Sequence, residues 1–202
     1  MANKWDQRYG EPGFAYGQKP NDFLFQSLSH LPRRGRILCL AEGEGRNGVF
    51  LARQGYEVIA VDSSAVGLAK ARSQAEENGV EITTIHTDLA DFQLEDEHYD
   101  GVISIFCHLF PDLRKRLHRQ IAATLKPGGV LILECYTPKQ LELGTGGPPV
   151  RELLVGVEEL RQELSELDIV HGQELEREII EGRLHTGRGA VAQIIGIKPT
   201  SV

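Results

Sequence analysis

The residues with the strongest chemical character lie in a run from 41 to 48: Ala41, Glu42, Gly43, Glu44, Gly45, Arg46, Asn47 and Gly48. Glycines at this spacing let a backbone come close to a ligand, and a helix that starts within the run offers N–H groups with no helical partner. Gly43, Gly45 and Gly48 also fit the dinucleotide fingerprint, which alone is a weak signal. Two acids follow downstream, Asp62 and then Asp88 beside Leu89. A carboxylate at the end of a second strand can accept both hydroxyls of a ribose, and one at the end of a third can meet an adenine amino group. The plainer alternative is a tight turn with two solvated acids.

A second group lies near the other end of the chain. His185 and Arg188 fall in or beside a short turn between two long apolar runs. Histidine is the usual general base near neutral pH, and arginine clamps anions. If the strand before this turn runs parallel to the earlier strands, both side chains come over the ligand edge. The competing reading is a histidine that only shapes a hairpin. The chain has seven histidines; His30, His86, His98, His118 and His171 fall in helices, strand interiors or loops away from that edge. Cys39, Cys107 and Cys135 show no metal-ligand spacing and read as small buried hydrophobes.

The elements that must position these groups alternate. Ile37 to Leu40 form an apolar run, a helix follows over 47–54, a second strand over 56–61, and a helix capped by Ser63 or Ser64 runs to the stop pair Asn78 and Gly79. A third strand spans 81–86 and a fourth 99–106. Leu113, Leu117, Ile121 and Leu125 repeat every four residues, which predicts an amphipathic helix. Pro127, Gly128 and Gly129 break it before a fifth strand over 130–136. This rhythm predicts an α/β fold with one doubly wound, mostly parallel sheet covered on both faces. After a loop rich in glycine and proline, the pattern changes to a helix over 157–164 and two strands over 167–180 and 190–197, close enough to pair antiparallel. The first 20 residues, punctuated by glycine and proline, predict no regular element, yet Trp5, Tyr9, Phe14 and Tyr16 make them too aromatic for a solvated tail.

Composition narrows the function. The chain has 202 residues, 41% of them apolar, and a net charge of −7. That is one domain's length, spanning 1–202, and it lacks the basic footprint of a dedicated nucleic-acid binder. The basic positions between Arg114 and Arg119 read as the solvated face of a helix. No apolar stretch approaches a membrane span, and the N-terminal residues carry no apolar leader core, so a cytoplasmic location without a membrane partner is expected.

The ordered set Ile37 to Asn47, Val61 with Asp62, Asp88 with Leu89, and Leu125 to Leu131 resembles the class I S-adenosylmethionine-dependent methyltransferases over nearly the whole chain. The resemblance implies a seven-stranded sheet with an antiparallel last strand and S-adenosylmethionine as the cofactor. It implies a glycine loop (Ala41, Glu42, Gly43, Glu44, Gly45) against the methionine part, Asp62 and Ser63 at the ribose, Asp88 and Leu89 at the adenine, and Phe106 and His108 above the cofactor. Two positions depart from the pattern: Cys39 replaces the usual first-strand Asp, and Ala41 the first glycine. Glu42 and Glu44 then become candidates for the ligand's ammonium or sulfonium. Trp5, Arg8 and Tyr9 followed by Tyr16 and Gly17, with Gly147, Pro148 and Pro149, resemble the tellurite-resistance and thiopurine methyltransferase group. There the segment equivalent to 1–20 folds over the cofactor as a lid, which brings in Trp5, Tyr9 and Tyr16; a Gly-x-Leu-His turn in that group matches His185. The acceptor implied is a small molecule with an anionic or soft nucleophile, such as a thiol or chalcogen. A nicotinamide-dependent oxidoreductase and a non-catalytic S-adenosylmethionine-binding protein are the rival readings.

Overall fold

The structure, a computed structural model, describes residues 4–200; the ends of the domain expected over 1–202 lie outside the described residues. Two short helices, α1 (Lys4–Tyr9) and α2 (Asp22–Ser27), precede β1 (Arg36–Leu40), α3 (Arg46–Arg53), β2 (Glu57–Asp62), α4 (Ala65–Glu77), β3 (Thr83–His86), β4 (Tyr99–Ile105), α5 (Pro111–Thr124) and β5 (Leu125–Tyr136). Then come α6 (Gln140–Leu143), α7 (Val157–Glu163), β6 (Asp168–Glu181) and β7 (His185–Ile197). All seven strands form one sheet in the order β3-β2-β1-β4-β5-β7-β6. The first five strands are parallel to one another, and β7 is antiparallel to both β5 and β6. β6 therefore points the same way as β1 to β5. The end of β6, the turn after it and the start of β7 share the carboxyl edge with the loop after β1 and with Asp62.

The strands are apolar on both faces because both are covered. The period of two sends Leu38 and Leu40 to one side, with Leu117, Ile121, Leu131, Leu133 and Leu160. It sends Ile37 and Cys39 to the other, with Leu24, Leu51, Ile103 and Ile132. Cys39 and Cys135 thus lie on opposite faces of the sheet, and all three cysteines are free.

Three expectations differ from the structure. Residues 4–9 are helical, because tertiary contacts hold what local composition does not favour: Asp6 accepts from the Ser64 hydroxyl at 2.6 Å and the Val66 N–H at 3.2 Å, beside the start of α4, and Tyr9 is buried. The fifth strand begins at Leu125, directly after α5, so Pro127, Gly128 and Gly129 lie inside it, where its pairing with β4 shifts register. β7 begins at His185 and not at 190, which leaves only Gly182, Arg183 and Leu184 as the turn.

The arm of residues 4–20 is tied across this edge. The Ala15 N–H donates to Glu44 at 2.7 Å, Lys70 donates to the Gly13 carbonyl at 2.6 Å and to Glu44 at 2.9 Å, and Arg183 and Leu184 donate to the Ala15 carbonyl at 3.2 and 3.3 Å. Gly182 has φ +66, and a Cβ on it would stand 2.6 Å from the Ala15 carbonyl oxygen. Gly182→Ala is therefore expected to lift the arm and increase its cleavage in limited proteolysis. Gly13→Ala, at φ +75 with nothing within 4 Å of the added methyl, carries the same backbone cost without the clash and should behave like the parent. Equal cleavage of the two variants would refute this pinning.

Candidate active site

The loop after β1 is a sequence of unusual backbone conformations. Ala41 has φ +49 and Gly43 φ +62. At Ala41 the Cβ costs roughly 1–2 kcal/mol in this region, which accounts for the glycine expected there. At Gly43 a Cβ would stand 2.6 Å from the Tyr9 hydroxyl, so only glycine lets the arm's tyrosine close on the loop. The Gly43 N–H donates to Asp62 Oδ2 at 2.9 Å and the Ser64 N–H to Oδ1 at 2.7 Å. An ionised carboxylate offers about four lone pairs, so Asp62 is oriented by two donors and keeps capacity for a diol. Burial raises its pKa against those two bonds. Ser63 lies beside it, its carbonyl 3.1 Å from His86 Nε2.

Asp88 stands two residues beyond β3 and is exposed; its Oδ1 accepts from the Ala90 N–H at 2.8 Å, while Leu89 is buried in the core. These features fit an adenosyl ligand: an oriented acid at the diol position, an apolar residue beside an exposed acid at the next strand end, and aromatic rings above. The rings are those of the arm. Trp5 and Tyr9 stack at 5.9 Å, Tyr9 meets Tyr16 edge-on at 6.3 Å, and Arg8 donates to the Tyr16 hydroxyl at 2.7 Å.

Glu42 and Glu44 both have partners within the protein. Glu42 turns back to accept from the Asn47 and Gly48 N–H groups at 3.0 and 2.6 Å, at the start of α3. Its burial pushes its pKa up to about 7 against those bonds. Glu44 is held by Lys70 and the Ala15 N–H. The helix N-terminus takes the first carboxylate and the arm takes the second.

His185 lies where the parallel direction of β6 puts it, 8% exposed, among Tyr16 (4.4 Å between ring centroids), Phe106 (4.7 Å) and Tyr136 (5.5 Å). Phe106 holds φ +52 at the end of β4. His108 stacks on Tyr136 at 5.6 Å, and its Nδ1 is 3.2 Å from the Leu153 carbonyl. A carbonyl can only accept, so Nδ1 carries the proton and Nε2, which is buried without a partner, is a bare lone pair. Burial and the neighbouring His185 push the pKa of His108 down to about 4.

Arg188 is not part of this group. Residues 185 and 188 differ by an odd number along β7, so the pleat sends them to opposite faces. Arg188 is 68% exposed and pairs with Glu176 at 2.5 Å. The cations near His185 are instead Arg8 and Arg46.

Glu181, Tyr136, Asn21 and Glu134 adjoin this group without having been singled out in the sequence, and Arg46 was named there only as part of the run from 41 to 48. Glu181 Oε2 is 2.7 Å from Arg46 Nη2 and 3.7 Å from His185 Nδ1. Burial opposes its ionisation, yet His185, Arg46 and Arg177 outweigh this and hold its pKa at about 2. Asn21 Nδ2 donates to both Glu181 and Glu134, at 2.8 and 2.7 Å, and Arg177 pairs with Glu134 at 2.6 Å. The available signal was composition: Glu134 interrupts an otherwise apolar strand, and a carboxylate there needs buried partners. Arg114 departs from the solvated face expected of its run: it is buried on Glu163, away from the site.

Residues 37–129 match a family model described as a methyltransferase domain. The chain is 36% identical over 143 residues to a glycine/sarcosine N-methyltransferase of Halorhodospira halochloris, covering 66% of this chain and 51% of that protein. It thus spans about half the length of the curated relatives it matches, among which is also a tRNA 5-carboxymethoxyuridine methyltransferase of Escherichia coli. A solved structure described under the conversion of a disulfide bond into a thioacetal group during echinomycin biosynthesis superposes with a TM-score of 0.77 at 16% identity, covering 98% of this chain and 89% of the other. TehB from Haemophilus influenzae superposes at 0.69 and 17% identity, covering 96% of this chain and 65% of TehB. Both likenesses concern the fold. The glycine loop and Asp62 both lie within residues 37–129, the span, a little under half of the chain, that is similar to a methyltransferase domain.

Proposed function

We propose that this chain methylates a small molecule at an anionic or soft nucleophile, with His185 as the base, beneath an arm that serves as a lid. The observation that carries this reading is the Glu181–His185 pair under Tyr16 and beside Phe106, on the sheet edge that also holds Asp62. The likeness of the Trp5, Arg8, Tyr9 and Tyr16 segment to the tellurite-resistance and thiopurine group supports a soft acceptor. The net charge of −7 speaks against a polynucleotide.

When bound, S-adenosylmethionine supplies an electrophilic methyl group on a sulfonium. Asp62 would hold the ribose, Leu89 and Asp88 would hold the adenine, and the rings of Tyr9, Tyr16 and Phe106 would exclude water from the cofactor. The charge of Glu181, 3.7 Å from His185 Nδ1 and so beyond hydrogen-bond length, favours a proton on Nδ1, which leaves Nε2 to take a proton from the acceptor's X–H group. His185 would keep that proton once the acceptor's X atom had taken the methyl group that the cofactor supplies. His108 Nε2, a fixed lone pair, holds a second donor of the acceptor in line.

Thermal stabilisation by S-adenosylhomocysteine and not by NAD(H) is expected; the reverse result overturns the reading in favour of an oxidoreductase. Labelled methyl transfer to a thiol, selenite, tellurite or heterocycle should follow, and its absence across that panel would favour a non-catalytic binding protein. In calorimetry, Asp62→Ala should weaken S-adenosylhomocysteine at least ~10-fold, since each hydrogen bond to a charged group is worth ~1.5–3 kcal/mol. Unchanged affinity would mean that β2 does not end at the ribose.

His185→Ala should lower turnover ~10²-fold, the low end for a lost general base, and leave cofactor affinity within about twofold. The pH–rate profile supplies a signed check. Burial depresses the His185 pKa below the ordinary 6.5, and Arg46 and Arg8 add to this against Glu181. Its neutral, active form therefore persists to lower pH, and the acid limb should lie below pH 6.5 and vanish in His185→Ala.

A further inference from the structure

Arg46 opens α3 and is 7% exposed, yet only one of its terminal nitrogens has a partner. Nη2 is fixed by Glu181, whereas Nη1 is buried with no hydrogen-bond partner. A guanidinium is rarely left so, because its N–H groups lose water and gain nothing. The groups that feel its charge are Glu42, Tyr16, Glu181 and His185, which places it between the glycine loop and the His185 turn. Arg46 and Arg177 pair with Glu134 and Glu181, Arg177 also pairs with Asp22, and the buried Glu42 feels the charge of Arg46. Arg8, on the arm, adds one further positive charge at the Tyr16 hydroxyl. Among the described residues, the site under Tyr16 thus holds three buried nitrogens with no hydrogen-bond partner: Arg46 Nη1, His108 Nε2 and His185 Nδ1.

We infer that Arg46 Nη1 receives an anionic oxygen of the methyl acceptor, so that the substrate class is a small carboxylate or comparable oxyanion that also carries a nucleophilic X–H group. This rests on the methyltransferase reading above. Nη2 is held rigidly by Glu181, so Nη1 has a defined direction, and the anion fixes how X–H meets the histidines. A lysine at this position keeps the charge but cannot serve Glu181 and the anion together. A carboxylate could also come from the amino-acid end of the cofactor, and the test separates these two sources.

The protein saturated with S-adenosylhomocysteine is titrated by calorimetry with matched pairs, thioglycolate against 2-mercaptoethanol and glycolate against ethylene glycol. The parent chain should bind each acid at least 10-fold more tightly than its neutral counterpart. Arg46→Lys should reduce that preference to under threefold while leaving S-adenosylhomocysteine affinity within twofold. Because the lysine leaves Glu181 less well paired, the double variant Arg46→Met with Glu181→Gln, which removes both charges, is measured as well and should show the same loss. A parent chain that binds S-adenosylhomocysteine but shows no acid preference overturns the assignment, as does a preference that survives in the folded variants. A 10-fold loss of S-adenosylhomocysteine affinity in both variants assigns the carboxylate to the cofactor and also overturns it. Failure of the parent chain to bind S-adenosylhomocysteine overturns the methyltransferase reading itself.

Discussion

Glu134 on β5 and Glu181 at the end of β6 are both buried acids, and the carboxyl edge of the sheet is organised around pairing them. A carboxylate out of water needs cations and donors in good geometry, and removing one partner of a buried pair costs about 3–5 kcal/mol. The partners come from four separate parts of the chain: Arg46 from the glycine loop, Arg177 from β6 itself, Asn21 from the cap of α2, and Gln193 from β7. Asn21 also receives the first turn of α2 through Leu24, and its own N–H donates to Asn47 at 2.9 Å. The loop after β1, the entry of the chain into the domain and the last hairpin are therefore held in one register by a single polar cluster. The hydrophobic layers on the two faces of the sheet carry no such directional information.

The same cluster explains why the arm lies where it does. Glu181 ends at Gly182, whose lack of a side chain admits residues 15–17, and Glu44 in the glycine loop accepts the Ala15 N–H from the other side. The arm spans the gap between the two halves of the site and touches both. Its helix α1 then lies along the start of α4 through Asp6, with Tyr9 over Gly43. The arm is therefore anchored at three places, at Glu44, at Gly182 and at Ser64.

The sequence reveals those parts of this arrangement that are local. Alternating strands and helices, the glycine spacing and the acids at strand ends are short-range patterns, and they placed Gly43, Asp62 and the parallel sheet directly. His185 was legible because the direction of one strand decides its place. Arg188 was misplaced because its side depends on where β7 begins; five residues' difference changes it from turn to pleated strand, and pleating turns it outward. The Arg46–Glu181 pair joins residues 135 apart, for which no periodicity exists to be read. Helix α1 was missed for a related reason, since contacts to Ser64 and Gly43 hold it and its own residues do not.

The pairing of Arg46 with Glu181 has a consequence for proton transfer. A histidine beside an isolated buried carboxylate would be drawn into the charged form, because the anion stabilises imidazolium more strongly than burial opposes it. Here the anion is already neutralised by Arg46 and, at 3.3 Å, by Arg177. Burial then dominates, and the imidazole of His185 stays neutral. The cations that keep Glu181 ionised thus also leave the imidazole of His185 neutral, and under the proposed reading the guanidinium that does this keeps one nitrogen for an anion.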